Sequence, residues 1–301
     1  MSIVNHENRD AVLASLAALA EDDTRDAEIE VIVVDNASQD GSVDAIRNAF
    51  PDVEVVARGD RAGYGANHNV ALRRASGRYV LLLNDDARVR PGTIDALRRT
   101  LDADAGVSVA APAVQTPAGE LEATLFPRPS LRMDALGAVR PGRAPTIEPA
   151  SPRAIGWATG CALMVRRDSV MKLGGFDEGY FMYSEEIDLC TRLADAGYRV
   201  TYVPEAVVVH EGQASTGVDS PERAVEMSRS RLRYWRRHYR PAHRVAAQVI
   251  VAAQFLLLAL AARVRRRPAR PLLLQAAGCF GDFGSQGLRE RAEAFNRARA
   301  A

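Results

Sequence analysis

EVIVVDNASQDGS, the stretch from Glu30 to Ser42, decides the fold of this chain. Within its first six residues, Glu30 to Asp35, the four from Val31 to Val34 are apolar and β-branched, and a polar cluster follows them at once. Such a run is typical of a buried parallel strand that ends in a loop. A second run, Arg78 to Leu83, stops in the same way at Asn84-Asp85-Asp86. Both patterns predict buried strands with polar ends.

Helical spacing lies between these strands, in residues 10–20 and 42–49. Alternating strands and helices predict an α/β fold with a mainly parallel sheet flanked by helices. Ligands of open α/β sheets bind outside the carboxyl ends of the strands. We therefore expect Asp35 and the pair Asp85-Asp86 to share one site.

The middle of the chain is less regular. Residues from Pro112 to Pro152 are rich in Pro, Gly and Arg, and we expect an irregular excursion there. Residues 156–167 resemble a loop that enters a strand. Helical spacing from Glu185 to Ala196 then precedes a predicted strand, Tyr198 to Val203. This domain is predicted to end near Gln213.

Composition narrows the function classes. The 301 residues are 47% apolar, and 39 Lys+Arg nearly balance 38 Asp+Glu, so no general attraction to nucleic acid is expected. The three cysteines, Cys161, Cys190 and Cys279, lack metal-ligand spacing, which favours a reducing compartment. The first residues lack a basic region followed by an apolar stretch, so we expect no secretory signal and a cytoplasmic location.

Residues 214–301 are predicted to form a basic helical extension. Eight arginines lie between Pro221 and Arg244, and the apolar segment 245–262 follows. Eighteen helical residues span roughly 27 Å, the lower limit for crossing a bilayer. Because a second basic cluster closes the segment, residues 221–270 are predicted to bind the inner face of an anionic membrane. The alternatives are a spanning helix, a core helix or a homodimer contact.

Two segments could bind a nucleotide. Asp35 can accept hydrogen bonds from a base or ribose, although such residues also cap helices. The segment Arg61 to Asn69 combines two glycines, which permit close backbone approach, with amide side chains that can bond a nucleotide or sugar. The alternative for this segment is an ordinary loop and helix cap.

Asn84-Asp85-Asp86 indicates a cation site. Adjacent carboxylates after a buried strand repel one another unless a cation or hydrogen bonds compensate them. We predict Asp86 as a ligand of Mg²⁺ or Mn²⁺, which a few carboxylates and diphosphate oxygens can hold. His210 ends another apolar run, residues 207–209, and is its candidate partner.

Three carboxylates, Glu185, Glu186 and Asp188, lie at the start of a predicted helix. The helix dipole favours acids there, so part of the cluster is expected to cap the helix. An adjacent pair can also raise the pKa of one carboxyl group, which helps it to act as a general base. Asp188 and Arg192 are four residues apart and are predicted to form a surface pair.

These motifs, in this order, resemble the family-2 inverting glycosyltransferases, particularly bacterial rhamnosyltransferase-like members that build cell-surface polysaccharide. The resemblance runs from Ser2 to about His210. The matching motifs are SIVN at 2–5, VDNAS at 34–38, DGS at 40–42, GYG at 63–65 with Asn67, LLNDD at 82–86, GGFDE at 174–178 and EEIDLC at 185–190.

The resemblance implies a GT-A fold, which is Rossmann-like, and a divalent metal at a modified Asp-x-Asp motif. It also implies direct displacement at the anomeric carbon with inversion. Asp35 would contact the nucleobase, Asp86 the metal, and His210 the metal or the diphosphate. Asn84 departs from the family motif, because it stands at the first position of Asp-x-Asp.

The resemblance also assigns the general base. The family motif is usually Glu-Asp, whereas this chain has Glu185-Glu186. Both glutamates are expected to be catalytic, and by position Glu186 would take the acceptor proton. The residues expected to bind the nucleotide sugar are Asn5, Asp35, Asn36, Ser38, Gly63, Tyr64, Asn67, Asn84, Asp85, Trp157 and Gly160. A catalytic domain at 1–213 would comprise a nucleotide-binding part at about 1–110 and an acceptor-side part at about 153–213.

The predicted reaction moves a sugar, by resemblance rhamnose, from a dTDP- or UDP-linked donor to a glycan or a polyprenyl-diphosphate-linked acceptor. A sugar nucleotidyltransferase is one alternative, but it would need a Gly-rich, Arg-containing loop where this chain has Asn5 to Arg9. A non-catalytic scaffold of a membrane glycan-assembly complex is another. Such a scaffold would lose the acids, whereas Asp35, Asp86 and Glu186 are present.

Overall fold

A computed structural model describes residues 1–21, 28–139, 153–212, 220–281 and 287–300. The strands are β1 (Ser2–Asn5), β2 (Ile32–Asp35), β3 (Glu54–Ala57), β4 (Tyr79–Asn84), β5 (Ala87–Val89), β6 (Val107–Gln115), β7 (Leu125–Phe126), β8 (Arg153–Ile155), β9 (Trp157–Ala158), β10 (Ala162–Arg166) and β11 (Arg199–His210). The helices are α1 (Arg9–Ala20), α2 (Ser42–Ala49), α3 (Tyr64–Arg74), α4 (Thr93–Ala103), α5 (Leu131–Val139), α6 (Arg167–Lys172), α7 (Glu185–Asp195), α8 (Pro221–His238), α9 (Pro241–Val264), α10 (Arg270–Gly278) and α11 (Leu288–Ala300).

The main sheet has the strand order β3-β2-β1-β4-β10-β6-β11-β5, with β8 also paired to β11. The strands β3, β2, β1 and β4 run parallel. β10 is antiparallel to both of its neighbours, and β11 is parallel to β6 but antiparallel to β5. The predicted mixed, mainly parallel sheet flanked by helices is confirmed.

Both faces of the sheet are buried, which explains the unbroken apolar runs. Alternate residues of β4 enter different cores: Leu81 and Leu83 join one cluster, whereas Val80 and Leu82 join the other. Leucines from α1 and α4 cover the first face, and Leu72 of α3 and residues of α7 cover the second. The predicted helices at 10–20, 42–49 and 185–196 are present to within one residue.

The register brings the strand ends together at one edge. Asn5 pairs with Asp35 across β1 and β2, and Val4 pairs with Asn84 across β1 and β4. Asn5, Asp35 and Asn84, which are far apart in the chain, therefore meet at this edge, as the sequence pattern predicts.

Two regions are more regular than expected. Residues 112–115, assigned to an irregular excursion, complete β6, and β7 and α5 follow them. Residues 140–152 lie outside the described residues. The strand expected at 198–203 continues as far as His210, because β11 resumes its pairing with β6 at Val207 after a bulge.

The C-terminal helices pack against the sheet domain. The boundary predicted at 213/214 falls outside the described residues. On α8, Ser230 donates a hydrogen bond to the carbonyl of Met182 (2.7 Å), and the hydroxyl groups of Tyr234 and Thr191 lie 3.0 Å apart. Several α8 arginines pair with acids rather than facing only solvent, as Arg233 does with Asp177 (2.9 Å).

Asp188 forms the predicted pair with Arg192, but the expectation of a surface pair is wrong. The Asp188 side chain is fully buried between α7 and α8. It accepts hydrogen bonds from Arg192 Nε (2.7 Å) and shares one with His238 Nε2 (2.7 Å). Burial favours a higher pKa, but His238 and Arg192 outweigh it and hold the pKa of Asp188 below its usual value.

One face of α9 packs inside the protein and the other is exposed. Ala247 and Val251 are buried, and Gln248 and Gln254 donate to the carbonyls of Cys279 (2.8 Å) and Gly137 (3.0 Å). The exposed face carries Val245, Val249, Leu256, Leu257, Leu260 and Val264. Within the described ranges, α9 is the one helix that is long and apolar enough to cross a membrane.

We expect Asp188→Asn to lower the free energy of unfolding by about 3 kcal/mol at neutral pH, because it removes the negative charge that compensates the largely buried guanidinium of Arg192. Its pKa is lowered on folding, so the stabilisation is present above the unfolded pKa of about 4 and is lost as the pH falls. Asp195→Asn removes an exposed acid of the same helix and should change stability by less than about 0.5 kcal/mol. Urea unfolding at pH 7 and pH 3.5 measures both effects. Equal losses for the two variants would contradict this account.

Candidate active site

Asn5, Asp35 and Ser38 form a hydrogen-bonded group at the ends of β1 and β2. Asn5 Nδ2 donates to Asp35 Oδ2 (2.7 Å), and the backbone N–H of Ser38 donates to Asp35 Oδ1 (2.9 Å). Asp35 does not cap α2, whose N-cap is Gly41. Among the described residues, the buried Asn5 Oδ1 has no hydrogen-bond partner. This oxygen is an acceptor that a ligand can satisfy.

Asn36 ties the loop before α3 to the end of β2. Its side chain accepts from the Ala62 N–H (2.8 Å) and donates to the Ala62 carbonyl (3.1 Å). Asn67 Nδ2 donates to the same carbonyl (3.3 Å). The loop therefore has a fixed position relative to Asp35.

Gly63 and Tyr64 join this loop to the segment before α7. A Cβ at Gly63 would clash with the backbone of Tyr180 and Phe181, so only glycine permits this approach. The Tyr64 N–H donates to the Phe181 carbonyl (2.8 Å), and its hydroxyl donates to the Gly160 carbonyl. The segment is thus a helix cap, as one alternative held, and it also links two parts of the site.

Asp85 and Asp86 are both buried at the end of β4. Asp85 Oδ2 accepts from the backbone N–H of His6 (3.2 Å). Burial and the neighbouring Asp86 raise the pKa of Asp85 to about 7. Asp86 Oδ1 lies 3.4 Å from His210 Nε2 and accepts no hydrogen bond of normal geometry from the described residues. The strand end holds two carboxylates that lack full compensation.

His210 completes a chain of three side chains. It lies opposite Ala87 in the pairing of β11 with β5, which places its ring beside Asp86. Its Nδ1 lies 3.3 Å from Glu122 Oε2. Burial favours a lower pKa, but Asp86 and Glu122 outweigh it and raise the pKa of His210 above its usual value. The structure therefore joins Asp86 and His210, as predicted.

A divalent cation fits this pair, although the protein supplies few ligands. Within the described ranges, no group of three or more His, Cys, Asp or Glu side chains stands ready to hold a metal ion. Mg²⁺ and Mn²⁺ commonly use one or two carboxylates, with substrate phosphates and water completing the shell. Asp86 Oδ1, which accepts no hydrogen bond from the described residues, and the imidazole beside it match that pattern.

Glu185 and Glu186 begin α7 after two residues, Tyr183 and Ser184, that both have positive φ. Residues other than glycine rarely adopt this backbone conformation, and it is common at functional sites. The Oε2 atoms of both glutamates are shielded from solvent and lack hydrogen-bond partners among the described residues. Burial raises the pKa of Glu186 to about 7. Burial and the adjacent Glu186 raise the pKa of Glu185 well above its usual value.

Not every predicted residue joins this network. Trp157 stacks on Phe126, with ring centroids 4.2 Å apart, rather than on the strand-end residues. Glu122 was not predicted, because it lies in the stretch assigned to an irregular excursion and no motif marks it. The contact of His6 with Asp85 was also missed, since a backbone N–H carries no sequence signal.

Comparison with known proteins identifies the family. The model of the family described as "Glycosyl transferase family 2" matches residues 2–174. The chain belongs to glycosyl transferase family 2. It is a glycosyltransferase, as its motifs predict, and the two alternative functions are not favoured.

Relatives and solved structures agree with this assignment. N-acetylglucosaminyl-diphospho-decaprenol L-rhamnosyltransferase of Mycobacterium tuberculosis is 34% identical over 213 residues, which cover 64% of this chain and 69% of the relative. Rhamnosyltransferase WbbL of Escherichia coli is 45% identical over 60 residues, or 20% of this chain and 23% of that protein.

The solved structures share the fold at low identity. A Pyrobaculum calidifontis mannosyltransferase, PcManGT, in complex with GDP-Man and Mn²⁺, has a TM-score of 0.59 and 20% identity, covering 93% of this chain and 84% of that one. GalNAc-T7 with UDP, GalNAc and Mn²⁺ has a TM-score of 0.62 and 13% identity, covering 99% and 56%. The predicted GT-A fold is confirmed.

Proposed function

We propose that this enzyme transfers a sugar, with inversion, from a nucleoside diphosphate to a hydroxyl group of a lipid-linked glycan. The buried pair of Asp86 and His210, in which Asp86 Oδ1 accepts no hydrogen bond from the described residues, carries the proposal. These two residues would hold Mg²⁺ or Mn²⁺. The bound cation would neutralise the charge that develops on the departing diphosphate. Glu122 would orient the imidazole through Nδ1, as carboxylates do beside metal-binding histidines.

The nucleoside would lie against the ends of β1 and β2. Asp35 is held there by Asn5 and Ser38, and Asn5 Oδ1 accepts no hydrogen bond from the described residues. A base N–H or a ribose hydroxyl would satisfy that acceptor. Uracil and thymine, the bases of UDP and dTDP, both offer an N–H at their pairing edge. The remaining predicted contacts, among them Gly63, Asn67 and Gly160, would complete the pocket.

Glu186 would take the proton from the acceptor hydroxyl. Burial raises the pKa of both glutamates, so one of the two carboxyl groups can hold a proton while the other acts as the base. We assign the base to Glu186, because it stands at the position of the base in the family motif. Burial also raises the pKa of the nearby Tyr64 phenol and Cys190 thiol, which stay neutral. As the acceptor oxygen bonds to the anomeric carbon, the bond to the diphosphate breaks on the opposite side, which inverts that carbon.

The acceptor and donor sugar follow from the relatives. The mycobacterial relative is named as a rhamnosyltransferase that acts on N-acetylglucosaminyl-diphospho-decaprenol, and WbbL is also named a rhamnosyltransferase. We therefore propose rhamnose as the sugar and a polyprenyl-diphosphate glycan as the acceptor. We include in this proposal a role in cell-surface polysaccharide synthesis at the cytoplasmic side of the membrane.

The exposed face of α9 would hold the enzyme at this membrane. Leu257 and Leu260 are 68% and 62% exposed, so this apolar face is open to a lipid surface. The opposite face packs through Ala247 and Val251, which argues for a helix lying in the interface rather than spanning the bilayer. Arg263 and Arg267 extend the surface with positive charge that suits anionic lipid.

Nucleotide binding tests the cation site. In a thermal-shift assay, we expect UDP or dTDP to stabilise the enzyme only with Mn²⁺ or Mg²⁺, and the shift to vanish in Asp86→Ala, because ligands that bind the native state stabilise it. Asp168→Ala, which removes an acid with an 80% exposed side chain, should keep the shift. The absence of a shift with every nucleoside diphosphate in the wild type would overturn the proposed function.

Steady-state kinetics test the base. Glu186→Gln should lower kcat by about 10²–10⁴-fold, the usual contribution of a general base, with donor KM little changed. Wild-type kcat should rise with pH through a pKa near 7, because the base acts only when it is deprotonated. Glu185→Gln is the matched variant and should retain most activity. If Glu185→Gln is the inactive variant, the roles are reversed.

Vesicle sedimentation tests the membrane surface. The wild type should bind phosphatidylglycerol vesicles more strongly than phosphatidylcholine vesicles, and Leu257→Glu with Leu260→Glu should abolish binding, since two charges would enter the apolar layer. Leu121→Glu, at a leucine of similar exposure outside α9, should bind normally. Unchanged sedimentation of the double variant would rule out this face. A dimer that the double variant dissociates would make it a subunit contact instead.

A further inference from the structure

The last described helix, α11, directly contacts the loop before α3, at Arg61. Asn296 Oδ1 accepts from the Arg61 N–H (2.7 Å), and Asn296 Nδ2 donates to the Arg61 carbonyl (3.0 Å). Asn36 binds both backbone groups of the next residue, Ala62, in the same manner. Two asparagine side chains therefore hold two consecutive residues. Asn36 lies at the end of β2, whereas Asn296 lies on α11, 235 positions from Arg61.

The Arg61 side chain adds a second contact with α11. Its guanidinium lies 3.7 Å from the centre of the Phe295 ring, within the range of a cation–π interaction. Arg61 also pairs with Glu7 (2.6 Å), in the segment that follows β1. Ala292 is buried one turn earlier on α11. The contact is thus formed by one face of the helix.

The start of α11 is anchored to other elements. Glu290 pairs with Arg229 of α8 (2.6 Å), and Arg289 donates to the Gly179 carbonyl (2.8 Å). The helix therefore extends from α8 to the loop at Arg61. A cavity of about 290 Å³ lies between α11 and this loop, lined in part by Gly63, Arg289 and Ala292. The outer side of the loop therefore rests on α11 rather than on a continuous core.

We propose that α11 positions the donor site, with Asn296 as the residue that fixes the loop at Arg61 and Ala62. The proposal rests on the nucleotide pocket assigned above to Asn5 and Asp35. A nucleoside diphosphate binds a loop that is already ordered, so it does not bear the entropy cost of ordering it. Asn296 is a positioning residue, because it touches the loop and not the substrate.

Binding and kinetics of Asn296→Ala test the proposal. Loss of two hydrogen bonds should weaken UDP or dTDP binding, measured by titration calorimetry with Mn²⁺, by about tenfold. Donor KM should rise similarly, with kcat within about twofold of the wild type, whereas general damage to the fold would lower kcat. Arg297→Ala alters the next residue, whose side chain is 71% exposed, and should match the wild type. Phe295→Leu removes the ring beneath Arg61 and should also weaken nucleotide binding. This variant provides the test if Asn296→Ala does not fold.

Asp35→Ala separates this proposal from the one beneath it. Weak nucleotide binding by Asp35→Ala together with normal binding by folded Asn296→Ala and Phe295→Leu would overturn the role of α11 alone. If the wild type binds no nucleoside diphosphate, or if Asp35→Ala binds it normally, the assignment of the nucleotide pocket is wrong. The role proposed for α11 is then wrong as well. A lower kcat at unchanged donor KM in Asn296→Ala would also overturn the proposal.

Discussion

The register of β1 between β2 and β4 is the constraint on which the site depends. It sets Asn5 beside Asp35 and Val4 beside Asn84, so chain segments far apart in sequence end at one edge of the sheet. The register is fixed because both faces of these strands are buried, and a slip of one residue would exchange the two cores. The polar ends are therefore placed by apolar residues that take no part in the chemistry.

Two pairs of acids, each buried or partly buried, differ in their partners. Asp188 and Asp177 meet arginines, and their pKa values fall below the usual range, although burial alone would raise them. Asp85 and Glu186 are buried without a cation, and burial raises their pKa values to about 7. The first group fastens α8 to the domain. In the second group, the negative charge has no compensating cation, and a substrate, a proton or a metal ion can supply that compensation. Such carboxylates are typical of functional sites.

The sequence predicted features that depend on local patterns. The strands that end at Asp35 and Asn84 were recognisable because apolar runs stop at polar clusters, and α7 because its spacing is helical. The apolar run that ends at His210 was recognised, but its continuity with the strand predicted at 198–203 was not, since a bulge separates the two. Glu122 and Asn296 were missed because their contacts depend on tertiary packing, which leaves no periodic or motif signal in one sequence.

The C-terminal helices connect two requirements of the proposed reaction. α10 packs against both α8 and α9, and α11 is fastened to α8 through Arg229 and Glu290. The apolar face of α9 and the loop at Arg61 are therefore parts of one packed assembly. A lipid-linked acceptor is confined to the membrane surface, whereas a nucleotide sugar diffuses in water. A rigid connection of this kind would keep the donor pocket at a constant height above the lipid, where the acceptor hydroxyl must arrive.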